Sequence, residues 1–438
     1  MILDEGIAAV LRATGASMEW LFLAGYLLSL ALLWSGLVLI GTRVYRNPWA
    51  TAALGIAFTL RHRIPRTSAN SFEAYFHPRM LAFGVGVLAV AAVLHRRGWM
   101  AVALVAATAL VHVTTGIWFA VLVGVALAIL DSRMRRRALA GLIVAIAAGA
   151  WALFTGRLAG AFTPMDAIWL RAVATKDSLF ATEWPLWAWC ANLGLLALLW
   201  WAHRTRRRAG VATPEDDALV WGATALVAVF LVTLPLVAAG LPHPVQLQIS
   251  RVFWLVDFVT LVYVLGAIVP ARPGMAPVAV AAVLLALSAG RGAYIMLVER
   301  PERALFAVHT PASDWADAMQ WVSRQPTGIH VLADPGHAWK HGTSVRVSGG
   351  RDVFLEEVKD SAMAIYSRDI AARVVERTTA MGDFGAMTPE HASALARRYG
   401  LDYLVTDRDF ALPLAYRNQQ FRVYSLAPGV ARAPLAPR

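Results

Sequence analysis

Apolar residues fall in long unbroken runs over the first two thirds of the chain. Six of them, at about 18–42, 138–156, 184–202, 218–240, 252–270 and 276–297, reach or approach the roughly 20 residues a helix needs to cross a bilayer. Four weaker runs lie at 48–61, 79–94, 99–112 and 115–130. The sequence HVTTG (112–116) interrupts the last pair. It reads as two short spans or as a hairpin dipping into the bundle, since broken helices persist in a membrane only where protein or water covers them. Beyond residue 298 the pattern changes. Residues 314–325 and 359–378 place apolar positions at helical spacing, and 328–334, 401–407 and 421–426 read as short strands. Thr388–Pro389 opens a further helix as N-cap and first helical residue, and Gly400 ends it. The pattern therefore predicts a mainly α fold: a polytopic helical membrane bundle of about 8–10 spans over residues 1–298, then a small α/β domain within 299–438.

Composition agrees with that reading. The 438 residues are 58% apolar and only 16% charged, where soluble domains carry about 25% charge. The single cysteine, Cys190, excludes a disulfide framework and multi-cysteine metal sites. The net charge of +12 raises the question of nucleic acid, which its distribution answers. Residues 1–298 hold 23 Lys/Arg against 12 Asp/Glu, and residues 299–438 hold 17 against 16. The excess sits in short loops, RVYR (43–46), HRRG (95–98), DSRMRRR (131–137) and HRTRRR (203–208). Arginine-rich loops between apolar runs are the positive-inside signature and not a nucleic-acid patch. With these loops in the cytoplasm, the N-terminus and everything after residue 298 fall outside. Residues 1–17 then read as a short amphipathic helix on the outer side, with either a span upstream of Met1 or a small N-terminus translocated without one.

This threading gathers the unusual polar residues of the membrane part on the outer face. They include Asp4 and Glu5, and Glu73, Tyr75, His77 and Arg79 in the loop 68–80. His112, Thr114 and Thr115 lie at the broken pair, and His243, Gln246, Gln248 and Arg251 in the loop 243–251. Each also has a structural reading. Glu73 can pair with Arg79, His77–Pro78 can open a helix, and Arg79 can reach up to headgroups. His112 can be a hydrogen-bonded core residue. Asp257, about two turns into its span, can make a helix–helix hydrogen bond with Arg291 as a candidate partner. Asp166 and Asp177 read as residues of a solvated loop. No HExxH, GxSxG, SxxK, GxGxxG or P-loop spacing occurs, and two scattered acids do not make a metal cage.

Several segments carry a family resemblance: YFHPRMLAFGVGVLAV (75–90), ALVHVTTGIWFAVLVG (109–124) and QLQISRVFWLVDF (246–258), then DWADAMQWV (314–322), YGLDYLVTD (399–407) and YRNQQFRVYSL (416–426). With many spans followed by a small outer α/β domain, the chain resembles the GT-C superfamily of integral-membrane glycosyltransferases. That resemblance implies a bacterial inner-membrane enzyme using a polyprenyl-phosphate-linked sugar donor at the extracytoplasmic face. It places a catalytic acid in the first outer loop, where this chain begins and where Asp4 and Glu5 stand. Glu73 matches a second outer acid by position. A carboxylate would take the proton of the acceptor hydroxyl, and His77, Arg79, His112 and Arg251 would hold the donor and its leaving phosphate. The resemblance names no cofactor. The rival reading is a non-enzymatic membrane protein, a transporter or envelope-assembly subunit with an outer ligand-binding domain.

Overall fold

The structure is a computed structural model that describes residues 2–156, 162–269, 274–301, 306, 308–309 and 312–426. It divides into two compact units, residues 1–163 with 176–308, and residues 164–175 with 309–438.

The first unit is helical. In chain order it holds α1 (Ile2–Thr14), α2 (Met18–Tyr45) and α3 (Pro48–Thr59), then a two-residue ribbon of β1 (Arg63–Ile64) and β2 (Ala69–Asn70). α4 (Pro78–Leu94), α5 (Gly98–Val111), α6 (Val113–Leu130) and α7 (Ser132–Phe154) follow. α8 (Ala167–Val173) falls between α7 and α9 but belongs to the second unit. α9 (Leu186–Arg208), α10 (Pro214–Ala238), the short α11 (Pro242–Gln246), α12 (Val252–Ile268) and α13 (Met275–Tyr294) complete the first unit.

Six helical segments among the described residues are long and apolar enough to cross a membrane: Met18–Tyr45, Val113–Leu130, Leu186–Arg208, Pro214–Ala238, Pro242–Ile268 and Met275–Glu299. Pro78–Leu94 and Gly98–Val111 are apolar but shorter. The chain is thus a multi-pass helical membrane protein whose environment is a lipid bilayer. The helices meet where side chains are small. A Cβ on Gly222 of α10 would stand 2.4 Å from the Leu122 carbonyl oxygen of α6. One on Gly116 would stand 2.4 Å from the Ala109 Cα of α5. Such approaches let dispersion and backbone dipoles act between helices where no hydrophobic drive exists. An aromatic core fills the centre. Phe83 stacks on Trp254 with centroids 4.2 Å apart, and Phe119 and Phe258 pack edge-on against Phe83.

One expected result follows. Gly222→Ala should destabilise the purified protein by about 1–3 kcal/mol, the usual cost of overpacking. Gly124→Ala, whose Cβ meets nothing within 4 Å, should be neutral; thermal unfolding in detergent compares the two.

The second unit is α/β. α14 (Asp314–Ser323), β3 (His330–Leu332), α15 (His337–His341), β4 (Asp352–Val353), α16 (Glu357–Ala364), α17 (Arg368–Met381), α18 (Pro389–Tyr399) and β5–β7 (Tyr403–Thr406, Leu414–Arg417, Arg422–Ser425) follow in order. The five strands lie in the order β4-β3-β5-β7-β6. β4, β3 and β5 are parallel, and β7 is antiparallel to both β5 and β6. Two apolar clusters cover the sheet, one around Trp315, Met319 and Val331, the other around Leu332, Phe354 and Leu404. Thr388 accepts the His391 N–H at 3.2 Å and Gly400 closes α18 at φ 66°, as their spacing predicts. The helix expected over 359–378 is two helices, because Ser367 turns away and caps α17 through the Ile370 N–H.

Candidate functional site

α4 begins inside the loop that carries the first candidates. His77 is its N-cap, with Nδ1 accepting the Arg79 N–H at 3.1 Å, and Pro78 takes the first helical position. This cap fixes Arg79 in the first turn. Its guanidinium pairs with the fully buried Glu73 carboxylate and donates to the Ser68 carbonyl at 3.3 Å. The second Glu73 oxygen, Oε2, is buried and accepts no hydrogen bond. Tyr75 lies edge-on to His77 with centroids 6.3 Å apart. Burial first, and then the neighbouring Glu73 carboxylate, raise its phenol above the ordinary value.

His112 is the one residue between α5 and α6. Its Nδ1 receives the Thr115 backbone N–H at 3.3 Å and lies 2.9 Å from the Thr115 hydroxyl. A backbone N–H can only donate, so Nδ1 carries a lone pair and the ring proton sits on Nε2. The ring lies 6.4 Å from that of His77. Arg251, at the end of the 3-10 turn Ile249–Arg251 that leads into α12, acts electrostatically on His112. Gln248 just before it is buried and left-handed at φ 51°. Glu73, Tyr75, His77, Arg79, His112 and Arg251 are thus brought together at one end of the helical unit. On the chain segment leading to Arg251, an apolar cavity of about 340 Å³ is lined by Phe162, Leu236, Leu241, His243, Leu247 and Ile249. His243 Nδ1 lies 3.2 Å from the Gln246 Oε1 at its edge.

The other candidates stand differently. Glu5 is exposed on α1 with no ion pair to this cluster among the described residues, and the Asp4 side chain lies outside them. Asp257 pairs with His62 at 3.0 Å, while Arg291 donates to the Arg61 carbonyl. The hydrogen bond that His62 donates to the Asp257 carboxylate is the main cause of a raised pKa at His62. Asp177 pairs with Arg66 at 3.1 Å, so the loop 61–77 is tied down along its length. No group of three or more His, Cys, Asp or Glu able to hold a metal ion occurs among the described residues.

A second polar network, which the sequence showed only as an acidic stretch, lies at the other end. Glu215 takes both Arg43, at 3.4 Å, and Arg96. Asp216 accepts the Tyr263 hydroxyl at 2.9 Å, with Arg206 at 3.7 Å, and Asp217 pairs with His203 at 2.9 Å. The legible signal was the box Thr213-Pro214-Glu215-Asp216, whose Thr213 and Asp216 cap α10 reciprocally.

Compared with protein-family models, with curated proteins and with solved structures, the chain matches none.

Proposed function

We propose that the chain is a GT-C-like membrane glycosyltransferase that takes a polyprenyl-phosphate-linked sugar at the extracytoplasmic face of the bacterial inner membrane. The observation that carries this reading is the convergence of Arg79, His77, His112 and Arg251 beside Glu73. In the transfer, the acceptor oxygen bonds to the anomeric carbon as the bond from that carbon to the phosphate oxygen breaks. Polyprenyl phosphate leaves, and the acceptor proton passes to a carboxylate. Arg79 and Arg251 suit the leaving phosphate, whose charge grows in the transition state. The Nε2–H of His112 can donate to it. The unengaged Glu73 oxygen is the carboxylate at hand within the cluster, and Asp4 and Glu5 remain the acids the resemblance favours. The apolar cavity offers room for the first isoprene units.

The sidedness has its own support. Residues 164–175, from the connection between α7 and α9, are part of the tail domain's unit. That grouping supports a tail on the same side as the connection, in line with the arginine distribution. The test is to supply purified protein in nanodiscs with a panel of polyprenyl-phosphate monosaccharides and to follow release of polyprenyl phosphate. Release that is lost in Arg251→Ala supports the reading. Absence of both release and saturable donor binding across the panel, with folded protein, sinks it in favour of a non-enzymatic role.

A further inference from the structure

His62 stands where the chain leaves α3 and enters β1. Its Nε2 lies 3.0 Å from the Asp257 carboxylate, which is buried on α12. The Leu60 carbonyl accepts a second hydrogen bond from the same ring. A carboxylate and a carbonyl can only accept, so the ring sits between two acceptors. An imidazolium carries a proton on each nitrogen and serves both. A neutral ring has one N–H and must give up one of them. Arg291 of α13 is the further charged group acting on the ring; it opposes the imidazolium, but its guanidinium is engaged by the Arg61 carbonyl. On its own segment, Arg61 and Arg63 flank His62. The Asp257 hydrogen bond outweighs the partial burial of the ring and raises its pKa. The side chain is 48% exposed, so water can take the proton.

What holds this ring also holds the ribbon. The His62 N–H donates to the Ser71 hydroxyl at 3.1 Å, and the Ser71 N–H to the His62 carbonyl at 2.9 Å. Other tethers follow along the loop. The Asn192 amide of α9 donates to the Pro65 carbonyl at 2.9 Å. Arg66 pairs with Asp177 at 3.1 Å, and the Trp254 indole of α12 donates to the Ser71 carbonyl at 3.4 Å. Amide and indole donors keep their protons, and arginine keeps its charge. Among these donors, His62 is the one whose charge changes near neutral pH.

We propose that the His62–Asp257 pair is a pH-sensitive latch on the loop 61–77: the protonated ring fastens the start of the loop to α12, and loss of the proton loosens it. Because folding raises the pKa, the latch is fully set below the ordinary histidine value of about 6.5. It is lost as pH rises through the higher value of the folded protein. The loop carries Glu73, Tyr75 and His77, so the latch controls how firmly that cluster is held. It does so whatever reaction or ligand the cluster serves.

Hydrogen exchange of the full-length protein in nanodiscs tests this. Peptides covering residues 61–76 are followed at a series of pH values from about 6 to about 9, with correction for the intrinsic rate at each. In the wild type their protection should fall about tenfold across the series, the size of one charge-assisted hydrogen bond. His62→Gln keeps an N–H for Asp257 but has no charge to lose, and there the fall should disappear. If His62→Gln fails to fold, Asp257→Asn carries the test: without the carboxylate the fall should move to lower pH. A wild-type loop equally protected across the series overturns the proposal. So does a fall that survives unchanged in His62→Gln, or one with an unchanged midpoint in Asp257→Asn, since another group would then be titrating.

Discussion

Arg79→Ala is expected to lower the protein's stability by about 3–5 kcal/mol, the cost of leaving a buried charge without its partner. Glu73 is fully buried and the Arg79 side chain only 11% exposed, so neither water nor salt replaces the lost guanidinium. Replacing both residues by apolar ones, as Glu73→Met with Arg79→Met, should recover most of that loss, because a buried ion pair exchanged for hydrophobic groups of similar volume is often close to neutral. The pair of variants separates structure from function. If Arg79 also holds a lipid phosphate, the double variant will unfold near the wild-type temperature in detergent yet bind no polyprenyl-phosphate sugar. A folded double variant that binds donor with wild-type affinity would remove Arg79 from the binding site and leave the ion pair as a device for anchoring the loop 61–77.

Local signals were legible in the sequence and distant ones were not. The apolar runs announced the helical membrane unit because burial in lipid demands continuous apolarity. Thr388–Pro389 and Gly400 bounded α18 because capping acts within one turn. The pairing of Glu73 with Arg79, six positions apart, was open to the same reasoning. The break between α16 and α17 was hidden because apolar spacing continues through Ile365 and Tyr366 and only Ser367 betrays it. β4 is two residues long and has meaning only beside β3, so no period could reveal it. The pairing of His62 with Asp257 joins residues 195 positions apart. Arg291 is a candidate partner from the sequence, or a headgroup contact, but it is taken up by a backbone carbonyl. The largest omission was the segment 164–175. Asp166 reads as a solvated acid, and nothing near it in the chain indicates that Arg368 receives it through two hydrogen bonds, at 2.9 and 2.8 Å.

That segment gives the second large expected effect. Residues 309–438 produced alone should fail to hold their native fold, whereas the same residues with 164–175 joined through a flexible linker should hold it. Met165, Ala172 and Val173 of the segment are buried, and α8 packs on α16 and α17 within the tail's own unit. The Trp169 indole N–H also donates to the Ala364 carbonyl at 2.7 Å, closing the end of α16. Burial of the Met165 and Val173 side chains contributes about 1.5–3 kcal/mol each. A small domain has about 5–15 kcal/mol in total, so losing both, with the indole hydrogen bond, removes a large share of it. The Asp166–Arg368 pair is exposed and adds orientation more than energy. Hydrogen exchange at β3 and β5 reads the outcome: protected amides in the linked form and rapid exchange in the isolated tail. Equal protection in both would mean that the sheet and its two apolar clusters suffice, and that α8 only rests on a finished domain. If the linked form alone is protected, the domain cannot complete itself until α7 and α9 have delivered the segment. Its folding then follows insertion of the helices before it, and a variant that inserts wrongly would lose the tail along with the membrane unit.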